Sequence, residues 1–183
     1  SVTNPDGSGL SYTYDFNGNR ISVTAPSGTT VYAFDALNRI ETVTDPSEGV
    51  TIYAYHPNGK QDTVTYPNGT VAEYQYDDNA RLVYLENRKS DGTIISSYEY
   101  TLDNNGNRLT AMEDNGRRLI NYEYDELNRL LSEEIIVQEA PDVLTHSFQY
   151  DSVGNRISKE TCEGTTCELV TYQYNSLNQL ISE

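Results

Sequence analysis

The sequence has very few of the residues from which catalytic sites are usually built. Its 183 residues include two His, two Cys, one Met and no Trp. Neither His56 nor His146 has a Ser, Cys or Asp beside it in a known catalytic arrangement, and no phosphate-binding loop or metal-binding His pair occurs. We therefore predict that the histidines are bystanders and that the chain is not an enzyme. A hydrolase hidden in the sequence is the least favoured interpretation.

Basic residues are also scarce. Twelve Lys and Arg stand against 28 Asp and Glu, which gives a formal net charge of -16. Nucleic-acid backbones and anionic membranes both require neutralising basic side chains, so we expect neither as a partner. No apolar run approaches the length of a membrane span, so we expect no membrane insertion. The chain opens at Ser1 inside a polar, loop-like stretch, and we expect it to be a piece of a longer protein.

The aromatic residues follow a repeat. Sixteen Tyr and three Phe are present, and 16 of these 19 residues fall into eight aromatic-x-aromatic pairs. Successive pairs are 20 to 26 residues apart, a spacing typical of repeat proteins. Residues i and i+2 of a strand point to the same face, so the rings are expected to form a stripe. The pairs are Tyr12/Tyr14, Tyr32/Phe34, Tyr53/Tyr55, Tyr74/Tyr76, Tyr98/Tyr100, Tyr122/Tyr124, Phe148/Tyr150 and Tyr172/Tyr174.

A turn sequence rich in Asn, Asp and Gly follows each pair, and a basic residue follows seven of the eight turns. This order predicts one β-hairpin per repeat and about sixteen short strands. The segment 130–140, "LLSEEIIVQEA", is interpreted as a return strand and loop, with a helix as the alternative. The basic residues are Arg20, Arg39, Lys60, Arg81, Arg108, Arg129 and Arg156, with Gln179 in the eighth repeat.

The stretches "YTYDFNGNR", "YPNGT", "YEYDELNRL" and "FQYDSVGNRIS" resemble the tyrosine-aspartate repeats of the Rhs and YD-repeat family. This family includes bacterial polymorphic-toxin shells, toxin-complex components, wall-associated proteins and teneurins. The resemblance covers about residues 12–183. His56 and Thr101 stand where Asp is usual, and Asn175 replaces it in the last copy.

The resemblance implies an all-β fold, an array of about eight antiparallel β-hairpins forming one long curved or spiralling sheet. Eight repeats would make only part of a YD-repeat shell. We therefore expect residues 1–183 to be a single array, cut from a much larger protein, whose partners are further YD repeats and a C-terminal domain of the parent.

The repeated polar residues are expected to be structural. An Asp at the start of a turn accepts backbone N–H bonds, and we expect it to face the Arg across the hairpin. The tyrosine stripe is interpreted as the core between hairpins, with stacking on sugars as the alternative. The repeat motif comprises Tyr12, Tyr14, Asp15, Arg20, Tyr32, Phe34, Asp35, Arg39, Tyr74, Tyr76, Asp77, Arg81, Tyr122, Tyr124, Asp125, Arg129, Tyr150, Asp151, Arg156, Tyr172 and Tyr174.

Two candidate ligand sites lie outside this motif, in addition to the cysteine pair described below. Tyr66 and Tyr84 fall outside the stripe and are the candidates for ligand contact. Asp103, Asn105 and Asn107 place oxygen side chains at alternate positions, as calcium loops do, although the downstream Glu of such loops is missing. Otherwise we expect no cofactor.

Cys162 and Cys167 flank the short tip "EGTT" and are expected to form a disulfide rather than a metal site. A disulfide implies an oxidising, extracellular setting, either secreted or at the cell surface. The favoured function is therefore a non-enzymatic scaffold or shell segment that encloses or presents another domain. The alternative is an adhesion module that binds glycans or a cell-surface protein.

Overall fold

The computed structural model describes residues 2–3, 9–140 and 142–183. These residues form eighteen β-strands and one turn of 3-10 helix, Asp114–Gly116. The strands are β1 (Val2–Thr3), β2 (Gly9–Tyr14), β3 (Arg20–Ala25), β4 (Gly28–Phe34), β5 (Ile40–Thr44), β6 (Val50–Tyr55), β7 (Gln61–Thr65), β8 (Val71–Tyr76), β9 (Leu82–Arg88), β10 (Ile94–Leu102), β11 (Arg108–Glu113), β12 (Arg118–Tyr124), β13 (Leu130–Val137), β14 (Leu144–Tyr150), β15 (Arg156–Glu163), β16 (Thr166–Thr171), β17 (Gln173–Tyr174) and β18 (Leu180–Ser182).

The strand order is the order of the chain. From β1 to β16 each strand is hydrogen-bonded to its neighbours in sequence, and β17 and β18 form a separate two-stranded sheet. The prediction of an all-β array of antiparallel hairpins is confirmed, and β13 shows that residues 130–137 are a strand rather than a helix. Two compact units are present, residues 1–75 with 86–95 and residues 76–85 with 96–183, and the division between them passes across β8, β9 and β10.

The two faces of the sheet differ in chemistry. In the first unit Tyr12 lies opposite Val23, and Tyr53 lies opposite Val64, so rings and aliphatic side chains share what we call the aromatic face. The opposite face carries hydroxyl side chains. Hydrogen bonds join Thr13 to Ser22 at 2.6 Å and Thr24 to Thr29 at 2.9 Å on that face. The alternation follows from the two-residue period of a strand.

In the second unit the core lies on the face that carries that unit's own aromatic pairs. Ala111, Ile120 and Ile135 occupy adjacent strands, directly opposite one another, and are 0%, 3% and 7% exposed. The half-buried side chains of Tyr100, Tyr122 and Leu144 pack against them. The core is therefore a single layer of side chains on one face of the sheet.

All eight repeat turns have the same backbone geometry. The N–H of the first turn residue donates to the carbonyl four residues on, and the N–H three residues on donates back to the first residue. The residue three places after the first has positive φ in every copy, which Gly and Asn adopt most readily. These residues are Gly18, Asn38, Gly59, Ala80, Gly106, Asn128, Gly154 and Asn178. These turns lie at one end of the strands, and we call this end of the sheet the turn edge.

The turns that join one hairpin to the next lie at the other end of the strands, which we call the link edge. Successive link turns approach closely: a Cβ on Gly28 would lie 2.6 Å from Cβ of Pro46, and one on Gly69 would lie 2.8 Å from Cβ of Ser90. Gly28 and Gly69 also have positive φ. Glycine is therefore required at both positions by backbone conformation and by the neighbouring turn.

The fifth repeat corrects one prediction. Asp103, not Thr101, begins the fifth turn, since its N–H donates to the carbonyl of Asn107 at 2.9 Å. Thr101 belongs to β10, which is nine residues long, and lies opposite Thr110. The two residues between Tyr100 and Asp103 therefore lengthen the strand and not the turn.

Candidate functional site: the turn edge

Each acidic residue that begins a turn caps that turn with its own side chain. Oδ1 of Asp125 accepts the N–H groups of Leu127 and Arg129, both at 2.9 Å. Asn175 does the same in the eighth turn, where its Oδ1 accepts from Leu177 and Gln179. The capping role needs only one oxygen, which explains why Asn can replace Asp. The other repeat turns with this pair of bonds are capped by Asp15, Asp35, Asp77, Asp103 and Asp151, and Asp45 caps a link turn in the same way.

These hydrogen bonds stabilise the ionised carboxylates. The backbone N–H of the arginine four residues on is the largest cause that holds the pKa of Asp35, Asp77 and Asp125 below its ordinary value. Partial desolvation opposes this effect, and the arginine side chain adds to it. In Asp15 the side-chain amide of Asn19 is the largest cause of the lowered pKa.

The second carboxylate oxygen has two kinds of partner, depending on the turn. In the second, fourth and sixth repeats an arginine stands four residues after the Asp and pairs with it, at 2.7 Å for Asp35–Arg39, 2.7 Å for Asp77–Arg81 and 2.6 Å for Asp125–Arg129. In the first, fifth and seventh repeats an asparagine takes that place. We call these three the first kind of turn, and those with Arg four residues after the Asp the second kind. Asn19, Asn107 and Asn155 donate to Asp15, Asp103 and Asp151 at 2.8–2.9 Å.

The expectation that every turn Asp faces its Arg is therefore wrong for half of the arginine-containing repeats. Arg20, Arg108 and Arg156 stand five residues after the Asp, and each is the first residue of its return strand. Within the described residues none of the three forms an ion pair. The turn has the same length in these repeats, but the arginine stands one position later in the sequence, so Asn rather than Arg contacts the carboxylate. The seven basic residues therefore do not share one position.

Asparagines connect the two kinds of turn. Nδ2 of Asn105 and Nδ2 of Asn107 both donate to Oδ1 of Asn128, at 2.9 and 2.7 Å. Asn17 and Asn19 reach Asn38 in the same way, and Asn155 reaches Asn178. The first turn is thus joined to the second, the fifth to the sixth and the seventh to the eighth. These three pairs of hairpins were not predicted from the sequence. The available signal was Asn four residues after the Asp in one turn, followed by Arg or Gln at the same place in the next turn.

The arginines of the second kind reach the following hairpin. Nη1 of Arg129 donates to the carbonyl of Asp151 at 3.2 Å, and the guanidinium lies 4.8 Å from the ring centroid of Tyr150. The hydroxyl of Tyr150 donates back to the carbonyl of Leu130 at 2.8 Å. Arg39 likewise lies 4.2 Å from the ring of Tyr55.

Asp, Arg and Tyr therefore form one contact chain across neighbouring hairpins. The Asp fixes the Arg, the Arg covers a ring of the next repeat, and the tyrosine hydroxyl bonds the backbone beside the Arg. Tyr55 makes the same bond, to the carbonyl of Ile40 at 2.7 Å, and burial is the largest cause that raises the pKa of this tyrosine. A phenylalanine would leave that carbonyl without its donor, which accounts for the preference for Tyr at these positions.

The arginines of the first kind also lie over rings. Arg108 is 4.1 Å from the centroid of Tyr100, and Arg156 is 4.7 Å from that of Tyr172. Arg20 is 5.2 Å from that of Tyr32. Both kinds of repeat thus use the arginine for cation–π contact, whether or not it has an Asp partner.

The calcium candidates take part in a closed hydrogen-bonded turn. Oδ1 of Asp103 accepts the N–H groups of Asn105 and Asn107, and its Oδ2 accepts Nδ2 of Asn107, all at 2.8 Å. N–H donors therefore surround the carboxylate where a cation would have to lie. Calcium could bind here only by breaking these bonds.

The two tyrosine candidates differ in exposure. Tyr66 begins a turn on the link edge and is 42% exposed. Tyr84 lies within β9 and is half-buried. Their role as ligand contacts stays a prediction.

The two cysteines lie opposite each other in β15 and β16 and form a disulfide, with their Cα atoms 4.0 Å apart. The Glu160 carboxylate is close to both sulfurs, but sulfurs in a disulfide cannot act as thiolate ligands. Of the histidines, His56 contacts the carbonyl of Tyr74 at 3.0 Å and His146 contacts the hydroxyl of Thr161 at 3.0 Å. In the described part of the chain no helix is long and apolar enough to cross a membrane.

Replacing Arg129 with alanine tests the contact chain. We expect the free energy of unfolding to fall by about 1 kcal/mol, because the ring contact with Tyr150 and the bond to Asp151 are lost. The measurement is urea unfolding followed by circular dichroism. Arg117→Ala is the control, since among the described residues the Arg117 side chain pairs only with Asp114, at an exposed tip, and its loss should change stability little. Equal effects of the two substitutions would contradict the proposed role of Arg129.

The lowered pKa values predict how stability depends on pH. The pKa of Asp125 is lower in the folded chain than the ordinary value of about 3.9 expected after unfolding. Its contribution is therefore complete above that ordinary value and is lost as pH falls through the folded pKa. We expect the stability difference between the unmodified chain and Asp125→Asn to be constant from neutral pH to about pH 5 and to shrink below about pH 4. A difference that grows on acidification would contradict this assignment.

Comparison with known proteins supports the sequence resemblance. The family model described as RHS Repeat matches residues 17–50 and 34–71. Residues 17–71 carry Rhs repeats. The resemblance drawn from the tyrosine-aspartate pattern is therefore confirmed. No match was found among curated protein sequences.

Solved structures with the same fold come from toxin complexes. In a crystal structure of TcdB2-TccC3-Cdc42 the matching chain is 19% identical with a TM-score of 0.82, and the match covers 98% of this chain and 10% of that one. For TcdB2-TccC3 without the hypervariable C-terminal region the values are 18%, 0.81, 98% and 10%. For the Tc holotoxin pore of Photorhabdus luminescens they are 17%, 0.79, 94% and 10%. At these identities the likeness shows the fold, and the chain spans about a tenth of the length of the chains it matches.

Proposed function

We propose that residues 1–183 form one segment in the wall of a larger Rhs-repeat protein, where they act as a non-enzymatic scaffold. The observation that carries this proposal is the match over 98% of this chain to only 10% of a much longer chain of the same fold. The contact chain of Asp, Arg and Tyr supports it, because these residues join hairpin to hairpin. The charged and aromatic groups of these residues are therefore occupied by contacts within the wall.

The last strand of the large sheet supports further growth of that wall. Strand β16 stands at the end of the strand order, and five of its six residues are exposed. Its outer edge offers backbone N–H and C=O groups to another strand. We propose that in the parent protein the return strand β18 continues along this edge, and that the parent encloses or presents a C-terminal domain.

The proposed location is extracellular. The disulfide between Cys162 and Cys167 is favoured in an oxidising compartment. The charge of -16 keeps an array of this kind soluble and repels nucleic acids and anionic membranes. The wall needs no cofactor for the role proposed.

Protease protection in the natural parent protein tests this function. We expect the C-terminal domain to be cleaved much more slowly within the intact parent than as a separately produced domain. The same parent in urea, at a concentration that opens the sheet, is the control and should lose the protection. Equal cleavage of the enclosed and separate domains would contradict the shell. Saturable binding of residues 1–183 to a glycan, lost in Tyr66→Ala or Tyr84→Ala, would favour adhesion instead.

A further inference from the structure

The link turn between β7 and β8 contains a feature that the wall does not use. Among the asparagines of the chain, only Asn68 is followed two residues later by Ser or Thr with a residue other than Pro between, in Asn68-Gly69-Thr70. This sequence is the acceptor for N-linked glycans in secreted proteins. A three-residue acceptor sequence is weak evidence for glycosylation by itself, so the argument depends on how the structure presents Asn68 and Thr70.

The turn presents the Asn68 amide nitrogen to solvent. The backbone is held by bonds from the Tyr66 N–H to the Thr70 carbonyl and from the Gly69 N–H to the Tyr66 carbonyl, both 2.8 Å. Asn68 is exposed, and its Oδ1 accepts the Thr70 N–H at 3.0 Å. Within the described residues neither Nδ2 of Asn68 nor the Thr70 hydroxyl forms a hydrogen bond. Both groups that the modification requires are therefore available.

The hydrogen bond at Oδ1 also favours the chemistry. A donor on the amide oxygen withdraws electron density and makes the Nδ2–H protons more acidic. In glycan transfer Nδ2 forms a bond to C1 of the sugar and gives one proton to a basic group of the glycosyltransferase. The bond between C1 and the diphosphate oxygen of a lipid-linked oligosaccharide breaks, and the lipid diphosphate leaves with the electron pair.

We propose that Asn68 is an N-glycosylation site and that the link edge at this turn faces solvent in the parent protein. The proposal rests on the secretory location inferred above and is independent of whether the wall encloses another domain. It also limits the wall geometry, because a glycan at Asn68 leaves no room for a second layer packed against this turn.

The chain offers a matched comparison. Asn58 lies in a turn of the same geometry, where its Oδ1 accepts the N–H of Lys60 at 3.0 Å. The backbone bonds of that turn, from His56 to Lys60 and from Gly59 to His56, are 2.8 and 2.9 Å. The two turns differ at the second residue after the Asn, where Lys60 takes the place of the hydroxyl residue Thr70. Asn58 is therefore expected to stay unmodified, and Lys60→Thr should make it a second acceptor.

The test is secretion of residues 1–183 from a eukaryotic host, with glycopeptides analysed by mass spectrometry. We expect one glycan at Asn68, removed by peptide-N-glycosidase and lost in both Asn68→Gln and Thr70→Val. Lys60→Thr should add a second glycan at Asn58. An unmodified secreted chain, or a glycan that persists in Thr70→Val, would overturn the proposal.

Two further measurements separate the possible causes of failure. If a variant is not secreted, translation into microsomes reports whether Asn68 accepts a glycan before folding is complete, and no transfer there also overturns the proposal. Glycopeptide analysis of the natural parent then tests its location. A site that accepts a glycan in the host but is bare in the natural protein would contradict the secretory location or the solvent-facing edge, while leaving protease protection by the wall unaffected.

Discussion

Replacing Ile120 with alanine is expected to lower the free energy of unfolding by about 2–4 kcal/mol. Ile120 is 3% exposed and lies between Ala111 and Ile135 in the single-layer core. The lost side chain leaves a cavity that neighbouring strands cannot close, because their backbones are fixed by hydrogen bonds. Urea unfolding of the purified chain measures the effect.

The control for this substitution is Leu127→Ala. Leu127 is as apolar as Ile120, but it lies at a turn tip and is 70% exposed, so its loss should change stability by less than about 0.5 kcal/mol. Similar effects at the two positions would mean that the aromatic face is not the core of the unit.

Replacing Gly28 with alanine is expected to cost about 2–4 kcal/mol, from backbone strain and overpacking together. Gly28 has a φ of 128°, which side chains rarely adopt, and a Cβ there would lie 2.6 Å from Cβ of Pro46. Proline is rigid, so the link turns must separate. Thermal or urea unfolding measures the loss.

Gly18→Ala separates the two causes. Gly18 has a φ of 86°, but a Cβ there would meet no heavy atom within 4 Å. Its replacement should therefore cost only the backbone strain, about 1–2 kcal/mol. If Gly18→Ala and Gly28→Ala are equally destabilising, the contact between successive link turns contributes nothing.

Sequence reasoning identified the hairpins because their signals are local. The two-residue period of pairs such as Tyr122/Tyr124, and the Asn or Gly needed at positive φ in each turn, act within a few residues. It failed at Thr101 because a two-residue extension of β10 looks the same as a longer turn. It also assigned all arginines one role, although a shift of one residue decides whether Arg156 or Asn155 reaches Asp151.

Contacts between hairpins were harder to predict. The bonds from Asn107 to Asn128 and from Arg129 to the Asp151 carbonyl join residues more than twenty positions apart. Gly28 against Pro46 is a contact of the same kind on the link edge. No periodicity in one sequence specifies which neighbouring turns touch, because the register between strands sets those distances.

The central claim is that these hairpins are part of a longer wall, and cryo-electron microscopy of the natural parent protein tests it most directly. We expect the outer edge of β16, residues Thr166–Thr171, to be hydrogen-bonded to a further strand of the parent that continues β18, in a sheet that encloses a cavity. A sheet that ends at β16, with that edge in solvent and no enclosed space, would contradict the account.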